Sequence, residues 1–153
     1  MANAKSGDLI EFQTNKGLAY ALYTHKHPEF GCLIRVLDGF FETRPIEWEA
    51  VANLPVRFST FFPLISVVRR KKVSVVGHVE VPKSLSAFPM FRAGVYDPAS
   101  KTVRQWWLWD GDKEWKVPGL TPDELQYPLR RVGNLASVVD KLESGWIEAG
   151  ALF

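Results

Sequence analysis

DLIEFQTNKGLAYALYTH, residues 8–25, is the stretch that decides the fold. Ile10 and Phe12 alternate with Glu11 and Gln13, the period-two pattern of a half-buried strand. Asn15 to Gly17 supplies a hairpin loop, with Gly17 free to take positive φ. Leu18, Tyr20 and Leu22 then share one face of a second strand. Two adjacent strands joined by so short a loop must be antiparallel.

The same pattern extends outward. CLIRVL reads as a third strand, and Asp38-Gly39 is a tight-turn dipeptide from which FFETR returns. Residues 8–44 are thus expected to form an antiparallel meander. IEWEAVANL (46–54) predicts a short helix stopped by Pro55, RFSTFFP a strand ending at Pro63, and LISVVRR a short helix with Pro63 at its start. VSVVGHVEV predicts a strand with Val73, Val75, Val79 and Val81 on one face. MFRAGVY and VRQWWLW predict two strands across an Asp97–Ser100 turn, followed through DGD by a short EWKV strand. TPDEL (121–125) reads as one helical turn. Near the end the period changes: Leu135, Val138, Val139 and Leu142 sit at i, i+3, i+4 and i+7. Asn134 before them and Gly145 after them are the caps of a helix. The expected class is α+β: a mainly antiparallel twisted sheet or partly open barrel, with a C-terminal helix packed on it.

With 153 residues the chain is expected to be a single domain, 1–153, able to bury a full core without a metal or disulfide staple. Cys32 is the sole cysteine, so no internal disulfide framework exists. MANAKSGDLIEF holds no apolar run of signal-peptide length, and no stretch approaches the ~20 apolar residues that cross a bilayer. A cytoplasmic protein without a membrane partner is expected. The net charge of +2 is too small to imply nucleic-acid binding by itself.

RQWWLWDGDKEWK, residues 104–116, holds four of the six tryptophans. On a strand, Trp106 and Leu108 point one way, and Trp107 and Trp109 the other. Each indole can hide about 150–250 Å², so at least one of these faces is core. Residual exposure at Trp107 or Trp109 would make a recognition anchor, because tryptophan is enriched at binding hot spots. Arg69, Arg70, Lys71 and Lys72 form the one run of four basic residues, which could meet an acidic partner or phosphate but would equally serve as a solvated turn. His25 and His27 fall at strand spacing ahead of Cys32; imidazole and thiolate could ligate a transition metal, but the spacing matches no zinc knuckle. Glycine-rich phosphate loops, paired zinc histidines and serine elbows are missing from the sequence. No catalytic residue, cofactor or metal is expected.

Three stretches, in order, resemble the Immunity protein 26 family of bacterial toxin–immunity systems. They are GDLIEFQTNKGLAYALYTH, FFPLISVVRRKKVSVVGHVEVPKSLSAFPMFR and WWLWDGDKEWKVPGLTPDELQYPLRRVGNLASVVDKLESGW. Together they span well over half the chain. The resemblance implies a cytoplasmic bacterial α+β protein that neutralises a cognate toxin by protein–protein contact. It supplies no catalytic residues. The candidate contact residues are Trp107, Trp109, Arg69, Arg70 and His25. Two other readings remain: a small nucleic-acid-binding β-rich domain using the basic run and exposed aromatics, or a small-ligand or metal-binding protein using His25, His27, Glu29 and Cys32 in a cleft.

Overall fold

A computed structural model describes residues 3–153. Strands β1 (Asp8–Thr14), β2 (Gly17–His27) and β3 (Gly31–Leu37) are followed by helix α1 (Trp48–Ala52), strand β4 (Val56–Phe62), helix α2 (Leu64–Arg69) and strand β5 (Ser74–His78). These five strands form one sheet in the order β4-β3-β2-β1-β5, antiparallel throughout. Strands β6 (Phe91–Asp97), β7 (Thr102–Trp109) and β8 (Glu114–Val117) form a second antiparallel sheet in the order β6-β7-β8. Helix α3 (Leu135–Ser144) follows. The class is α+β, and neither sheet closes into a barrel.

The first hairpin forms as its loop chemistry requires. Thr14 pairs with Gly17, whose φ is 123°; a Cβ there would come within 2.9 Å of the Phe41 carbonyl oxygen. β1, β2 and β3 are buried on both faces. On one face, Ile10, Phe12, Ala21, Ile34 and Phe58 pack under Leu64 of α2 and Val138 and Leu142 of α3. All four residues of the expected α3 stripe join this cluster. The helix begins where Asn134 Oδ1 accepts from the Ser137 amide (2.8 Å) while the Ser137 hydroxyl accepts from the Asn134 amide (3.0 Å), a reciprocal cap that contributes about 1 kcal/mol. On the other face, Leu9, Tyr20, Leu22 and Leu37 lie under Val51 and Ala52 of α1, and Leu33 and Phe61 lie under Phe91 and Trp109 of the second sheet.

Two local expectations are corrected. FFETR does not return as a strand: only Phe41 pairs, exchanging two bonds of 2.8 and 2.9 Å with Leu18. The edge of β3 is taken instead by β4, whose Phe58, Phe61 and Phe62 bury more apolar surface. Arg44 leaves the sheet to bind Glu11 through both Nε (2.8 Å) and Nη2 (2.9 Å). The valines of residues 73–81 do not share a face either. Leu9 pairs with Gly77 and Ile10 with Val75, so Val76 is an extra residue in a bulge. Val73 consequently packs in the cluster under α2 and α3, Val79 in the cluster under α1, and Val75 faces outward.

The extended segment 128–133 splices the two sheets together. It pairs with β6 through Arg92 N–H to the Pro128 carbonyl and Arg130 N–H to the Arg92 carbonyl, each 2.9 Å. It then pairs with β4 through Phe61 N–H to the Arg131 carbonyl (3.1 Å) and Gly133 N–H to the Phe61 carbonyl (2.8 Å). Aromatic rings fill the angle beneath. Phe61 stacks on Phe91 at 5.4 Å, and Trp109 meets Phe91 at 5.3 Å and His27 at 5.0 Å.

Trp109 is 5% exposed in this junction, whereas Trp115 is 40% exposed. Trp109→Ala is expected to lower the unfolding free energy by about 3–5 kcal/mol. Trp115→Ala is expected to cost under about 1 kcal/mol. Equilibrium urea denaturation of both variants measures this, and equal losses would contradict the assignment of Trp109 to the core.

Candidate functional site

Strand alternation around the β2–β3 hairpin separates two chemistries. Lys26 pairs with Cys32 and both face α2, while His25 and His27 face the second sheet. On the α2 side a groove of about 570 Å³ opens between the hairpin, the end of β4 and the first turn of α2. Phe30, Phe62, Leu64 and Ile65 give it an apolar floor, and Val132, 60% exposed, stands at its wall. Its charged lining residues are Lys26, Arg69 and Arg70, and no carboxylate lines it.

The chain end of α2 sorts the basic run. Lys71 has φ 58°, and the Lys71 and Lys72 amides return to the Val68 (2.9 Å) and Val67 (3.0 Å) carbonyls. Arg69 and Arg70 therefore stay on the groove, and Lys71 turns to a neighbouring concavity that it lines with Lys5 and Asp8. The four basic residues do not present one continuous face.

The other candidates lie elsewhere. Trp107 is half-buried on β7 opposite Ala93 and Lys116, away from the groove. Trp109 belongs to the buried sheet junction, so it offers no surface anchor. His25 is held at both nitrogens. Nε2 donates to the Ser86 carbonyl (2.9 Å), and Nδ1 accepts from the Thr24 hydroxyl (2.8 Å). His27 is also engaged: Nδ1 accepts from the Glu29 (3.1 Å) and Phe30 (3.2 Å) amides, and Nε2 donates to the Gly111 carbonyl (2.7 Å). Cys32 is buried on the opposite side of the sheet from both histidines. Among the described residues no group of three or more His, Cys, Asp or Glu side chains could hold a metal ion. His27 and Glu29 line one pocket, but His25 and Cys32 do not join them there. The groove residues Lys26, Phe30 and Val132 were not singled out in the sequence. Lys26 was legible in principle, since it alternates with the two histidines on one strand.

Compared with known proteins, the chain matches no family model, no curated protein and no solved structure. Among the described residues no helix is long and apolar enough to cross a membrane.

Burial is the largest influence on His25 and holds its pKa below the ordinary 6.5; Arg35 adds to the lowering, and the Ser86 carbonyl opposes it. In the unfolded chain His25 takes a proton more readily. Its contribution to stability is therefore present above pH 6.5 and lost as pH falls through and below that value. Urea midpoints measured across this range should fall with pH in the wild type and fall less steeply in His25→Asn. Identical slopes would show that His25 does not carry the effect.

Proposed function

We propose that the chain is a non-enzymatic binding protein of the immunity type, which holds a cognate toxin by seating it in the groove beside α2. The observation that carries this reading is the lining of the groove: an apolar floor with three cations at its edge and no carboxylate. Such a surface fits an apolar side chain flanked by acidic residues. Floor burial supplies affinity, and the cations set orientation and association rate. The toxin as partner rests on the resemblance of the sequence to the Immunity protein 26 family. Cytoplasmic action and the lack of a catalytic role belong to the same proposal. The division of the basic run between two concavities speaks against the nucleic-acid reading, which needs several phosphate contacts along one face.

The test is binding to a purified toxin domain, which this reading expects a neighbouring gene to encode. The expected result is a complex in which the toxin is inactive. Arg69→Glu with Arg70→Glu should weaken it by at least about tenfold, mainly through slower association. Trp115→Ala should leave it unchanged. No complex, no effect of the double charge reversal, or steeply salt-dependent oligonucleotide binding in its place would each sink the proposal.

A further inference from the structure

A second site lies on the opposite face of the five-stranded sheet. Along β3, Leu33 points into the aromatic junction and Leu37 into the cluster under α1. Arg35, between them on the same side, is 6% exposed and divides the two apolar clusters. Its Nε donates to the Thr24 hydroxyl at 3.1 Å, and among the described residues its two terminal nitrogens make no hydrogen bond. They are not sealed off. Arg35 lines a pocket of about 210 Å³, together with Arg57, Leu85, Pro128 and Glu148. This is room for several waters or one small organic acid.

The surroundings hold too much positive charge. Arg92 is fully buried and donates to the carbonyls of Tyr127 (2.7 Å), Glu148 (3.0 Å) and Ala151. Arg131 Nε is buried with no partner among the described residues. One buried carboxylate, Glu148, acts electrostatically on the guanidiniums of Arg35, Arg92 and Arg131, and among the described residues it forms an ion pair with none of them. Both of its oxygens are already occupied, by the amides of Ser59 (3.0 Å) and Leu129 (2.8 Å). Arg57 lines the same pocket, but its guanidinium turns away from it, with Nε donating to the Trp146 carbonyl (3.2 Å), Nη1 3.8 Å from Asp38 and the group over the Phe40 ring. Burial holds the Arg35 guanidinium down to about 10. Water can satisfy donors, but it cannot balance charge.

We propose that this pocket binds a small organic carboxylate, taken by the planar fork of Arg35, with its apolar body against Leu85 and Pro128. A carboxylate matches a guanidinium in plane and accepts two parallel bonds. The site is independent of the groove beside α2, and it stands or falls separately.

Isothermal titration with butyrate, acetate and inorganic phosphate, each at constant ionic strength, tests this on the intact chain. Butyrate should bind one per chain, tighter than acetate, and tighter than phosphate. Arg35→Gln should weaken it by at least about tenfold. Leu85→Glu, which places a carboxylate on the pocket wall, should weaken it too, and it reads the same site if the Arg35 variant fails to fold. Arg104→Gln, at an exposed salt bridge elsewhere, should leave it unchanged. No saturable binding of butyrate to the wild type, tighter binding of phosphate, or indifference to Leu85→Glu would overturn the assignment.

Discussion

The structure depends on how an extended segment between two sheets satisfies its backbone. Residues 128–133 give successive hydrogen bonds first to β6 and then to β4. Sheets that share no strand are thereby held edge to edge. The Glu148 carboxylate reinforces the same place by accepting amides from β4 and from the segment itself. The Phe61, Phe91 and Trp109 rings can meet only because this splice sets the angle between the sheets. Buried amides in such a joint must be paired, since an unpaired one would cost about 1–3 kcal/mol. The joint is therefore rich in charged side chains that reach backbone groups, and poor in side chains that reach each other.

Local rules made much of the fold legible. The Asn15–Gly17 loop, the Asn134 and Gly145 caps and the Leu135–Leu142 stripe each depend on neighbours within a few residues, and each appears where the pattern puts it. What failed depended on distant partners. FFETR has strand composition, but β4 occupies the edge it would need. Val73, Val75, Val79 and Val81 keep one phase in the sequence, yet a bulge at Val76 switches their faces. No period-two reading can detect that, because the bulge is set by the register against β1. The tryptophans divide in the same way: alternation puts Trp107 and Trp109 on one face of β7, but only tertiary packing decides which of them is covered.

The charged positions were the least legible. Arg69 and Arg70 stood out as a run, and they do line a groove. Lys26 completes that rim from another strand, where only its alternation with His25 and His27 marks its face. Arg35 and Arg92 carried a signal that was available: each is a guanidinium inside an apolar strand, in CLIRVL and MFRAG. A charge in that position must be balanced or bonded in the fold. Arg92 is bonded to three carbonyls, and Arg35 is left facing a pocket. The two concave surfaces differ accordingly. One presents grease with a basic fringe, and the other a single buried cation at the floor of a small polar seam.

The bulge at Val76 also governs what the molecule can do in company. β4 has its outer edge covered by the spliced segment, which leaves β5 as the outermost strand on the other side. A flat, regular border there would offer free amides and carbonyls to any passing extended chain. Here the border is five residues long, kinked by an extra residue and preceded by two lysines. Those traits make a valine-rich border strand a poor template for growth.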